Sequence, residues 1–193
     1  MARSSNPRLQ RTGLCLPLSR KPLSSRSLIW GAVSFICALQ PLAADQPLPP
    51  PSKYQVCSPD QAFCAVADPS SQATSIFARG SATPVWTLGA WHRQIFLANG
   101  GDHLVIGPDG ISLVSLATKL SDPLLTFMKR NSVVRVVKVG DLFSDLSELQ
   151  RTTSHYFWGN VLGISPRNQL LVQLVGGRRV AFSVPTGRIE AEK

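Results

Sequence analysis

Gln55-Val56-Cys57-Ser58-Pro59-Asp60-Gln61-Ala62-Phe63-Cys64-Ala65-Val66-Ala67 is the stretch on which the fold turns. Pro59 presets φ for the second position of a type I turn, and Ser58 and Asp60 can bond nearby backbone groups. The stretch therefore reads as a β-hairpin. A register centred between Asp60 and Gln61 sets Cys57 opposite Cys64. Opposed Cβ atoms lie about 4.5–5.5 Å apart, and a disulfide wants roughly 3.5–4.5 Å. Only the closer, non-hydrogen-bonded kind of pair suits a bridge. Closing that short loop is worth about 2.5 kcal/mol on chain-entropy grounds. The alternative is two buried free thiols, and what precedes the hairpin favours the disulfide.

Residues 1–44 hold six basic residues (Arg3, Arg8, Arg11, Arg20, Lys21 and Arg26) and no acidic one. Leu28–Leu39 is an uncharged apolar run, followed by Gln40-Pro41 and the small pair Ala43-Ala44. Basic region, apolar core and small-residue cleavage site make the layout of a secretory signal peptide over 1–44. The apolar run is short of the ~20 residues that a membrane span needs. An uncleaved N-terminal anchor is the competing reading, since the basic region is long and Leu42 is large for its place before a cut after Ala44. Residues 45–53 form a Pro-rich linker, 54–189 a single domain and 190–193 a tail.

The leader accounts for most of the charge. The chain carries 20 basic and 11 acidic residues, +9. Without the six basic residues of the leader, 14 face 11 and the net charge is +3. The remaining basic pairs, Lys129-Arg130 and Arg178-Arg179, sit at expected turns, so no nucleic-acid partner is expected. Cys15 and Cys37 also fall in the leader, leaving one cysteine pair in a compartment where disulfides persist.

From Ala62 onward, short apolar or alternating runs are separated by Gly, Pro, Asn and Asp. The expected strands are 62–67, 74–79, 85–88, 94–98, 103–107, 111–116, 124–128, 133–139, 161–165, 170–175 and 178–184. Such runs between turn signals predict an all-β domain, an antiparallel β-meander. Gly176-Gly177 reads as a two-residue hairpin loop. Asn99-Gly100-Gly101-Asp102 and Gly107-Pro108-Asp109-Gly110 read as further hairpin turns. One short helical insertion is expected near 141–150, with Leu142, Leu146 and Leu149 on one face.

The Ser58–Val66 pattern, a polar turn leading into an apolar strand, recurs at Ala98–Ile106 and Ser165–Val172. These repeats resemble blades of β-propellers, and the Ser-Pro-Asp-x-x-Phe turn resembles those that open strands in periplasmic, WD-repeat and quinoprotein-like families. The chain also resembles short uncharacterised exported bacterial proteins that carry a Thr-Val/Thr-Ser-His-Tyr-x-Trp-Gly segment, here Thr152–Gly159. The resemblance implies a propeller-like or partial-propeller fold and transfers no activity. About three repeats fall short of the four to eight blades of a closed ring. An open meander, a small sandwich, or a ring completed by another chain are the three forms that fit.

The chemistry is sparse. No Gly-x-Ser-x-Gly elbow or phosphate loop is present. None of His92, His103 and His155 stands at metal-ligand spacing with another, so neither a metal nor a cofactor is expected. His103 follows a turn, where a solvated or Asp-bonded histidine is ordinary. His92, beside Trp91, and His155, beside Tyr156 and Trp158, are the binding candidates, because aromatics with a few convergent polar groups are what small-ligand pockets use. A packed β core uses the same residues. The expectation is an exported, periplasmic or secreted binding or interaction module for a protein or small molecule, with an oligomer completing the repeat array as one form. The alternatives are a small enzyme using His92 or His155 as its acid–base residue, and an accessory protein tethered by its uncleaved N-terminus.

Overall fold

The structure, a computed structural model, describes residues 47–192. The expected signal peptide and anchor lie outside the described residues.

Three four-stranded antiparallel meanders make up most of the domain. The first runs β1 (Tyr54–Cys57), β2 (Phe63–Asp68), β3 (Ala73–Ala78) and β4 (Pro84–Leu88), in that spatial order. The second comprises β5 (Ile95–Leu97), β6 (His103–Ile106), β8 (Pro123–Lys129) and β9 (Ser132–Lys138). The third is β12 (Gly159–Ile164), β13 (Gln169–Leu174), β14 (Arg179–Ser183) and β15 (Ile189–Glu192). A small sheet joins β10 (Gln150–Arg151) and β11 (His155–Phe157), which lie between the second and third meanders in sequence, to β7 (Leu113–Ser115), which lies between β6 and β8. Each meander has the make-up of a propeller blade, and the fold is all-β and propeller-like.

The opening hairpin forms in the register read from the sequence. Cys57 pairs with Cys64, and the two are joined by a disulfide with Cα atoms 4.0 Å apart. The Gln61 amide donates to the Ser58 carbonyl at 2.9 Å. Gln61 takes the left-handed φ of 59° that lets the chain re-enter the ladder. Ser58 is fully buried. Its hydroxyl donates to Asp60 Oδ1 at 2.5 Å and accepts from the Phe63 amide at 3.1 Å.

Period-two alternation explains the cores. Ile95, Leu97 and Leu104 pack against Ala65, Ala67, Ile76 and Trp86 of the first meander. The alternate residues of the second meander, among them Val105, Phe127 and Val137, pack against Leu170, Val172, Val180 and Phe182 of the third. The second meander is thus buried on both faces, as a central blade must be. The three echoed turns meet as well. The Asp60 amide donates to Asn99 Oδ1 at 3.0 Å. Asn99 in turn donates from its amide to Asn168 Oδ1 at 2.8 Å and from its side chain to the Pro166 carbonyl at 3.0 Å.

Three local expectations change. The helical insertion expected near 141–150 is present as two 3-10 turns, Val139–Asp141 and Leu146–Glu148, in place of one α-helix. Asp145 is extended at φ −146° and accepts from the Ser147 amide, while the Glu148 carboxylate takes the Ser144 and Asp145 amides. Side chains thus satisfy the backbone groups that an α-helix would use. Leu142 and Leu149 are still buried, but so is Phe143, which lies off the expected helical face. The Gly176-Gly177 turn has three residues, because Gln173 pairs with Arg179 and the Leu174 amide bonds the Arg178 carbonyl at 2.8 Å. Both glycines have positive φ, 80° and 89°. Finally, Gly107–Gly110 turns the chain without closing a hairpin. β6 pairs with β8, and β7 leaves to join β11. The Ala98–Asp102 turn does close β5 onto β6 as expected.

Candidate functional site

The connection between β4 and β5 carries Trp91, His92 and Arg93, and two side chains of the first meander hold it. Tyr54 Oη donates to the His92 carbonyl at 2.6 Å, and Thr74 Oγ1 donates to the Ala90 carbonyl at 2.9 Å. Tyr54 meets Trp91 edge to face, with ring centroids 6.5 Å apart. The Arg93 guanidinium lies 5.5 Å from the Trp91 ring centre, a cation–π distance. Arg93 also donates to the Pro49 carbonyl at 2.8 Å, which lays the Pro-rich segment beside the connection.

This connection forms one wall of a groove of about 790 Å3. The other walls are the Pro108-Asp109-Gly110 turn, β7, Asp122 and His155 of β11. His155 is placed there by its pairing with Ser115, and its Nδ1 lies 2.9 Å from Ser154 Oγ. Leu48, from the linker, lines the same space.

The electrostatics of the groove follow from partial burial. Desolvation lowers the pKa of His92 below the ordinary imidazole value, and the charge of Asp109 works in the opposite direction. His92 is therefore neutral at pH 7, with one ring nitrogen a donor and the other an acceptor. Burial pushes the Tyr54 phenol up to about 12, against the opposing pull of Arg93. The Trp91 indole N–H is buried without a hydrogen-bond partner among the described residues.

Two smaller depressions carry no comparable chemistry. One, of about 220 Å3, lies among Val56, Pro59, Phe96 and Ile164 where β1, β5 and β12 come together. The other, of about 280 Å3, lies over Leu162, Leu171 and Ala181 on the third meander.

Of the five residues singled out in the sequence, the groove brings together Trp91, His92 and His155. It does not include Tyr156 or Trp158. Trp158 is fully buried between the second and third meanders, its indole N–H donating to the Ile111 carbonyl at 3.0 Å. Tyr156 is half-buried against the same core. Strand alternation explains the split, since His155 and Tyr156 are adjacent on β11 and point to opposite faces. His103 stands on β6 opposite Lys129, its pKa lowered by burial first and by the Lys129 charge second. No group of three or more metal-ligating side chains exists among the described residues.

Sequence reasoning did not single out Arg93, Asp109 or Asp122 for this site. Asp109 reads in the sequence as part of a hairpin turn, but β7 departs to pair with β11, and the loop lines the groove with His92. No signal in the sequence marks that departure.

No protein-family model matches the chain, and no curated protein does. Among solved structures it is similar to hydrazine synthase from Kuenenia stuttgartiensis, with 17% identity and a TM-score of 0.34, over 72% of this chain and 36% of that one. It is also similar to a proposed 6-phosphogluconolactonase from Bacteroides fragilis, with 13% identity and a TM-score of 0.37, over 72% of this chain and 38% of that one. The chain spans little more than a third of either structure. The superpositions are loose, and the fold assignment rests on the chain's own strand order.

Proposed function

We propose that the chain is an extracytoplasmic binding module whose ligand site is the groove between Trp91–Arg93, Asp109 and His155. The observation that carries this reading is the convergence of three separate segments on one concavity. The β4–β5 connection, the β6–β7 turn and β11 together supply an aromatic ring, a guanidinium, two imidazoles and a carboxylate. Ligand pockets are built from just such mixtures of apolar surface and a few polar groups. A neutral His92, with one donor and one acceptor nitrogen, suits a small polar ligand that both donates and accepts hydrogen bonds. The extracytoplasmic location draws on the Cys57–Cys64 bridge and on the basic, apolar leader.

The test of the groove is a small-molecule library screened by thermal shift on the full-length protein. Hits should lose their shift in His92→Ala and in Asp109→Ala and keep it in His103→Ala. Hits indifferent to both groove variants would sink the reading. Intact mass of protein recovered from the periplasm tests the location. Cleavage near Ala44 supports export, and retention of residues 28–39 supports the tethered form.

The enzyme reading is the second, because the Asp109 charge bears on His92. A carboxylate beside a partly buried imidazole is an acid–base arrangement. Turnover of a screened hit, with a pH profile that shifts in Asp109→Asn, would favour it over simple binding.

A further inference from the structure

The three echoed turns close alike. The Ser58, Ala98 and Ser165 amides donate to the carbonyls of Phe63, His103 and Gln169, at 2.8, 3.0 and 2.8 Å. Those acceptors open β2, β6 and β13, so the residues that follow them are structural equivalents. Cys64, Leu104 and Leu170 come second in their strands, and Ala65, Val105 and Leu171 third. Their cross-strand partners match as well. Phe77, Met128 and Phe182 stand opposite the second residues, and Ile76, Phe127 and Ala181 opposite the third. Adjacent strand residues point to opposite faces, so each meander carries one row of each kind on each face. The second-residue row faces the preceding meander: Leu104 joins the core shared with the first, and Leu170 the core shared with the second. The third-residue row faces the following meander, as Ala65 and Val105 do. All four of these side chains are fully buried.

Two rows have no described meander to meet. Cys64 and Phe77 of the first meander, and Leu171 and Ala181 of the third, are only half-buried. The two rows are complementary in shape. Where the second and third meanders meet, Phe182 lies against Phe127, ring centroids 5.6 Å apart. The open counterparts of that pair are Phe77 and Ala181. Over Ala181 is a depression of about 280 Å3, walled by Leu162 and Leu171, where a ring equivalent to Phe182 would sit. The end turns are complementary in charge. Their third residues are Asp60 in the first and Arg167 in the third, and neither forms an ion pair among the described residues. We propose that a second copy of the chain covers both open faces. The first meander of each copy packs on the third of the other, with Phe77 seated over Ala181, and three meanders from each copy close a ring. Six blades lie within the four to eight of closed rings. A two-fold axis repeats the contact and leaves no face for further growth. The contact is separate from the groove, to which neither face contributes a residue.

Sedimentation of the full chain across a dilution series should show a monomer–dimer equilibrium and nothing larger. Phe77→Asp and Leu171→Asp, each checked for folding by circular dichroism, should each weaken the dimer about 100-fold, since a carboxylate is then buried at both contacts. Mixed in equal amounts, the two variants should associate again, more weakly than the unaltered chain. The third meander of one and the first meander of the other still make one intact contact. Arg167→Glu should weaken the dimer about fivefold at low salt and by less at high salt. Hydroxyl-radical footprinting of the unaltered chain needs no variant, and should find Phe77, Leu162 and Leu171 less oxidised in the dimer than in the monomer. A monomer at every concentration, open-ended polymers, folded variants that do not associate when mixed, or footprints unchanged at those three side chains would overturn the proposal.

Discussion

The two junctions between meanders are built on different principles. Between the second and third, large side chains interlock: Phe127 and Phe182 meet with centroids 5.6 Å apart, and Trp158 is fully buried beside them. Between the first and second the buried core is smaller, with Ala65, Ala67, Ile76 and Trp86 meeting Ile95, Leu97 and Leu104. Directed bonds supplement it. Trp86 Nε1 donates to the Gly101 carbonyl at 2.8 Å, and Tyr54 and Thr74 hold the β4–β5 connection. Gly101 belongs to this junction because a Cβ there would stand 2.5 Å from the Phe63 ring, and its φ is +72°. The disulfide ties the hairpin of the same meander. Where apolar volume is small, covalent and hydrogen-bond restraints take over. The groove is framed from the restrained side, where a side chain can be held without being swallowed by the core.

The contrast is sharpest for Phe127→Ala. It should cost about 3–5 kcal/mol in urea unfolding, the usual range for removing a fully buried ring. Replacing Cys57 and Cys64 with serine should cost about 2.5 kcal/mol. Hydrogen exchange should then show residues 54–88 opening before 159–184. Simultaneous opening would mean that the first meander is held by packing after all. Trp86→Phe keeps most of the apolar volume and removes the bond to Gly101, so a loss of about 1 kcal/mol is expected in the same unfolding assay.

The smallest effects are titrations of the connection itself. Tyr54 has a folded pKa raised to about 12 from 10.0. Its contribution is fully present below pH 10 and is lost as pH rises through 12. Tyr54→Phe should flatten that part of the stability curve. His92 has a lowered folded pKa, so its contribution is present above the ordinary imidazole value and is lost as pH falls through the folded one. His92→Gln should flatten the acid side below about pH 6.5. If neither variant changes its limb, the connection is not restrained in the way its hydrogen bonds imply.

Local patterns carried much of the fold. Most strands from Ala62 to Val184 are legible because alternation and turn residues act within a few positions, and Cys57 opposite Cys64 follows from the turn chemistry of Ser58-Pro59-Asp60. β10, β11 and β15 escaped notice. β10 and β11 are two and three residues long, and β15 carries charge on alternate positions. The 141–150 segment misled because its leucine spacing is helical while Asp145 and Glu148 draw the backbone out of the helix.

The amino-acid sequence by itself determined the strand class, the disulfide pair and the blade-like repeat, since each depends on neighbours a few residues apart or on one hairpin. Tertiary structure alone decided which aromatics would be core and which would line a groove. Trp158 and His155 are three residues apart, yet one is sealed between sheets and the other faces the groove. That outcome depends on β7 leaving its hairpin partner to pair with β11, a contact 40 to 44 residues away along the chain. Residue spacing carries no information about a pairing of that range, because its free energy comes from the packed whole.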